Sequence, residues 1–172
     1  MQSVISKKIL AIPLIVGLMM WQALVPSMAH ATTIQSVPTK VYVSGHLLSS
    51  PNHIVAIDPW SGKNTSYLSM STLQLTLRNL RIQSQWDGTN LTLTAPSGWK
   101  VSVAGAPQPR PVYANEMGFV LGGGQFGIAP KLIVNGVTYA PIYYINQILT
   151  RRFFMGAMWH RSSWTLTPQK TS

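Results

Sequence analysis

The sequence predicts an α+β chain built from two copies of a β-β-α-β-β unit, each with a short helix packed on an antiparallel sheet. Three observations lead there. The chain has no cysteine, so a packed core must hold it together. Beyond residue 31 it is rich in Val, Ile, Leu, Trp and Tyr, which suit strands better than long helices. A run with helical spacing, flanked by β-prone runs, also occurs twice.

Met1 to Ala31 reads as a secretory signal peptide. Lys7 and Lys8 form a positive start, Ile9 to Trp21 is uninterrupted and apolar, and Ala29-His30-Ala31 supplies small residues at the positions a signal peptidase reads. The apolar run is shorter than the ~20 residues that span a bilayer. The expected protein is cleaved after Ala31 and is secreted or held at the cell surface. The membrane then enters only through the signal segment before cleavage, and an uncleaved N-terminal anchor is the alternative.

Residues 32–95 form the first expected unit and 112–168 the second. Between them, 96–111 is a Pro/Gly-rich linker, and 169–172 is a frayed tail. Lys40-Val41-Tyr42-Val43-Ser44-Gly45 parallels Lys131-Leu132-Ile133-Val134-Asn135-Gly136, each a β-prone run ending in a hairpin signal. Met70, Leu73 and Leu77 parallel Ile142, Ile145 and Leu149, and their spacing puts each trio on one helix face. Ser69 is placed to cap the first helix, and Pro141 to sit in the first turn of the second. Trp86 follows Tyr67 by nineteen residues and Trp159 follows Tyr139 by twenty, and these four aromatics are expected to close two cores. Trp86-Asp87-Gly88 then turns into a strand through Leu91 and Leu93, matched by Trp159-His160-Arg161 and a strand through Trp164 and Leu166.

The doubled set of Val134-Asn135-Gly136, Tyr139-Ala140-Pro141-Ile142 and Trp86-Asp87-Gly88 resembles the copper amine oxidase N-terminal-like domain, or stalk domain. The resemblance covers roughly Lys40 to Thr94 and Val112 to Thr167. It implies an exported bacterial accessory module with no copper, no cofactor and no oxidase activity. Leu68-Ser69 stands where Val-Pro is usual. The usual Leu-Gly after the helix is replaced by Leu80-Arg81 and by Leu149-Thr150-Arg151-Arg152.

The whole chain has 13 basic and 3 acidic side chains, and without Lys7 and Lys8 the formal net charge is +8. An exported basic protein attracts anionic surfaces, so wall polymers are expected partners and nucleic acid is not. Arg78, Arg81, Arg151 and Arg152 fall near the two helix C-termini. They read either as partners of the helix dipoles or as a patch that grips an anionic polymer.

Catalytic sets are thin. Asp58, Asp87 and Glu116 are the only acids, and Asp87 is better explained as a turn residue. No Gly-x-Ser-x-Gly mounts a nucleophile beside His46, His53 and Asp58. His46 and His53, expected to flank a loop between the first two strands, are at most a weak surface copper or zinc pair. Gly122 to Gly127 fits G-x-G-x-x-G but leads into a strand, so it reads as a hairpin loop. The expectation is a non-catalytic, envelope-associated stalk or interaction protein whose partner is wall polymer or another envelope protein. The alternative is an accessory module for anionic wall polymer or carbohydrate. A third reading, an exported hydrolase, lacks its acids and nucleophile motif.

Overall fold

The trio Met70, Leu73 and Leu77 forms the buried face of helix α1, Met70–Asn79, in the computed structural model, which describes residues 34–169. Ser69 caps it as expected, its Oγ accepting from the N–H of Thr72 at 3.3 Å. The second trio likewise becomes the buried face of α2, Ile142–Arg152, joined there by Ile148. Pro141 lies one position earlier than expected. It is the N-cap at φ −76°, where its missing N–H still costs no helical bond. The segment 1–31 and most of the C-terminal tail lie outside the described residues. Among the described residues no helix is long and apolar enough to cross a membrane.

Among the described residues thirteen strands accompany the helices. In chain order they are β1 Gln35–Pro38, β2 Lys40–Val43, β3 His46–Ser49, β4 Asn52–Ile57, β5 Asn64–Ser69, β6 Gln83–Trp86, β7 Asn90–Thr94, β8 Glu116–Leu121, β9 Gly124–Pro130, β10 Leu132–Val134, β11 Val137–Pro141, β12 Gly156–His160 and β13 Ser163–Thr167. They form three sheets ordered β1-β4-β5-β11-β10, β12-β13-β2-β3 and β6-β7-β8-β9.

The sheets are not purely antiparallel. β13 runs parallel to β2, with Trp164 opposite Val41, and β7 runs parallel to β8, with Leu91 opposite Phe119. A strand run carries no sign of the direction of its neighbour, so the sequence pattern could not show this. The parallel register brings Gly118 beside Asn90. A Cβ on Gly118 would run into the Asn90 Oδ1 and press on the Val112 side chain, so any larger residue there must displace them.

The expected match of Lys40–Gly45 with Lys131–Gly136 is not the one the pairing suggests. Lys131–Gly136 enters the β10–β11 hairpin of the five-stranded sheet, as the β4–β5 hairpin does on the other side of that sheet. The β2–β3 hairpin instead takes the same position beside β13 that β8–β9 takes beside β7. A register shift falls between Val41 and Tyr42 in one and between Phe119 and Val120 in the other.

The two expected cores are one. A single buried cluster draws Val41, Leu68, Leu73, Leu77, Leu91 and Leu93 together with Phe119, Ala140, Ile145, Leu149, Trp164 and Leu166. Trp86 and Trp159 are half-buried against it, while Tyr67 and Tyr139 belong to a smaller cluster with Ile54 and Ala56. Residues 96–111 carry no helix or strand but are tied down. The Ser102 N–H donates to the Arg152 carbonyl at 2.9 Å. Gln169, expected to fray, instead donates to the carbonyls of Lys100 and Phe153 at 2.9 and 3.0 Å.

Two outcomes are expected. A fragment of residues 32–95 lacks β13, β11 and β8, which pair with β2, β5 and β7, so it stays unfolded by circular dichroism while the full chain unfolds in one urea transition. Ser69→Ala removes a cap and lowers the unfolding free energy from the same experiment by about 1 kcal/mol.

Candidate functional site

Helix α1 ends with a reversal. The Leu80 N–H donates to the carbonyls of Thr76 and Leu77, Arg81 adopts φ +62°, and the Ile82 N–H returns to Leu77 O at 2.9 Å. Glycine usually occupies such a left-handed position. Ile82 drops into the core, and Arg81 stays exposed beside Arg78. The same reversal after α2 places Phe154 at φ +50° and buries Met155.

Between α1 and β6 lies a groove of about 750 Å³. Arg78 and Arg81 line it with Ser71, Gln74, Gln83 and Ser84, over Leu75 and Ile82. Arg151 and Arg152 line a different cavity of about 280 Å³ near the C-terminus of α2, with Gln147, Tyr144 and Phe126. There the Arg152 guanidinium donates to the carbonyls of Ala104 and Gly105, pinning the irregular segment. The four arginines therefore divide into two pairs at two cavities. Sequence reasoning missed Ser71 and Gln74. Their spacing from Arg78, seven and four residues back, would have placed them on the same helix face.

The three carboxylates are each accounted for. Asp58 is 2% exposed, and it accepts from the Trp60 N–H at 3.0 Å, the Ser61 hydroxyl at 2.7 Å and the Tyr144 hydroxyl at 3.0 Å. Three donors offset the cost of burying that charge. Burial, reinforced by this carboxylate, pushes the Tyr67 hydroxyl up to about 12 and raises Tyr144 as well. Asp87 accepts from the backbone N–H groups of Asn90 and Thr89 at 2.6 and 2.7 Å, which lowers its pKa and closes the expected turn. Glu116, 5% exposed, receives both guanidinium nitrogens of Arg110 at 2.8 and 2.9 Å, and that bond holds its pKa below the usual range. Among the described residues this is the one ion pair, so Asp58 and Glu116 sit in separate networks.

The histidines do not flank a common loop. His46 opens β3 and is exposed, while His53 lies inside β4 and is 2% exposed. The His53 Nδ1 is 2.5 Å from the Thr39 hydroxyl, and its ring meets Trp159 edge-on at 5.1 Å. Among the described residues no three His, Cys, Asp or Glu side chains group as a metal site. Gly122 and Gly123 form the β8–β9 turn at φ +61° and +82°, the hairpin that was expected.

Burial lowers the His53 pKa from its ordinary 6.5, against the opposing effect of a backbone hydrogen bond at Val37. The unfolded chain therefore takes up this proton more readily than the folded one. The His53 contribution to stability is present above pH ~6.5 and is lost as the pH falls from there through the folded-state pKa. Urea midpoints measured at about pH 7.5 and pH 5.5 are expected to fall on acidification, and His53→Gln is expected to flatten that decline. No family model, curated protein or solved structure matches the chain.

Proposed function

We propose that the chain is an exported, non-catalytic interaction protein of the cell envelope, built from two interleaved stalk-like repeats, that grips an anionic wall polymer with Arg78 and Arg81. The observation that carries this reading is the chemistry of the groove between α1 and β6. Two guanidinium groups and four neutral hydrogen-bonding side chains line it, and no carboxylate does. Guanidinium groups bind phosphate and carboxylate oxygens in pairs, and flanking hydroxyls and amides add neutral contacts along a polymer. The remaining acids supply no competing partner, since Asp58 and Glu116 are buried and Asp87 closes its own turn.

Support for two repeats comes from the strand pairing. β5 and β11 cross with Leu68 opposite Ala140, flanked by Ser69 opposite Tyr139 and Tyr67 opposite Pro141, a register that reads the same under exchange of the two halves. The parallel contacts are exchanged likewise, β13 with β2 and β7 with β8. In this arrangement Gly118–Gly123 is the counterpart of Lys40–Gly45. Each repeat then lends its final hairpin to the opening hairpin of the other.

The test uses poly(glycerol phosphate) as the polyanion. Binding to the full chain is expected to weaken steeply with added salt, since the groove is exposed and screening is strong there. Arg78→Ala and Arg81→Gly are each expected to weaken it about fivefold, roughly 1 kcal/mol per contact. Arg81→Gly keeps the fold, because glycine adopts φ +62° without strain. Binding that ignores both salt and these substitutions removes the proposal.

A further inference from the structure

We propose that a second cleft, between β5 and α2, binds a neutral pyranose unit of a polysaccharide by stacking it on Tyr143. The cleft holds about 330 Å³, at the small end of the ~300–1,000 Å³ typical of ligand sites. Tyr143 and Trp159 line it with Asn64, Thr65, Ser66 and Asn146, alongside the apolar Val55 and Ile142, and no charged side chain lines it. That chemistry differs from the arginine groove. A polyanion would find no counter-charge here. A sugar ring presents apolar C–H faces to aromatic rings and hydroxyls to amide and hydroxyl groups.

Two features prepare the cleft for a ligand. The Asn146 Oδ1 accepts from the Trp164 Nε1 at 2.6 Å, so its amide is fixed with the NH₂ group as the remaining donor. Tyr143 is 57% exposed, although it meets Tyr144 edge-on at 5.1 Å. The aromatic surface does not end at Tyr143. Tyr144 in turn meets Trp60 edge-on at 5.5 Å, and Trp60 is 45% exposed.

The buried Asp58 carboxylate organises this run. It accepts from both the Tyr144 hydroxyl and the Trp60 backbone N–H, fixing a ring on α2 against the turn between β4 and β5. Two exposed rings, Tyr143 and Trp60, joined through Tyr144, suit consecutive sugar units better than a single one.

The inference is independent of the reading of Arg78 and Arg81, and its test separates the two. The full chain is titrated with chitotetraose and with cellotetraose, alongside their monosaccharides, by tryptophan fluorescence at low and high salt. The two oligosaccharides differ in acetamido against hydroxyl substituents and show which the amide-lined cleft prefers. Saturable, salt-insensitive binding that strengthens from monosaccharide to tetrasaccharide is expected. Tyr143→Ala is expected to weaken it about tenfold, the loss of one stacked ring. Trp60→Ala is expected to weaken the tetrasaccharide and not the monosaccharide, and Arg78→Ala to change neither. In the unsubstituted chain, the side-chain amide signals of Asn64 and Asn146 are expected to shift on binding. Failure of both oligosaccharides to bind, full binding by Tyr143→Ala, or binding lost with Arg78→Ala or with salt overturns the proposal.

Discussion

The fold depends on the crossing of β5 and β11. These strands end at Ser69 and Pro141, and each passes into a helix at the next residue. Their antiparallel pairing therefore fixes where both helices begin, and Leu68 and Ala140 at its centre are each 1% exposed. From those starts α1 packs against β6 and β11 while α2 packs against β12 and β5. The two helix C-termini then carry the arginine pairs, and the β5–α2 interface carries the cleft. A register slip of one residue in this crossing would turn buried side chains out and displace every one of those sites.

The helices were legible because their signal is local. Spacings of three and four residues, together with one capping hydroxyl at Ser69, need no knowledge of the rest of the chain. The Asp87-Gly88 turn was legible for the same reason. Strand partners were not. Val41 finds Trp164 across most of the sequence, and nothing in Lys40-Val41-Tyr42-Val43 distinguishes that neighbour from any other apolar strand. The same limit produced the expectation of two separate cores. Each run of apolar residues was assigned to its sequence neighbours, whereas the parallel pairs carry β2 and β8 into contact with strands of the other half.

The sites divide along the same line. Arg78 and Arg81 were visible as charges near a helix end, and the groove beside them adds residues from β6 that no helical period reaches. Asp58 was visible only as a scarce acid. Its role comes from Tyr144, which lies far along the chain on α2 and reaches it through a single hydroxyl. Arg110 and Glu116 are close in sequence, yet the irregular stretch between them hides a two-pronged pair that exists only because the chain folds back at Tyr113.

The internal use of the acids shapes how copies of this chain meet one another. With Asp58 and Glu116 buried, Asp87 is the one carboxylate side chain left on the surface, facing a large excess of lysine and arginine. Such a surface has almost no proton-titratable counter-charge of its own, so it stays positive from acid to mildly alkaline conditions and neighbouring copies repel. Close packing of such copies therefore requires anions between them to offset the repulsion.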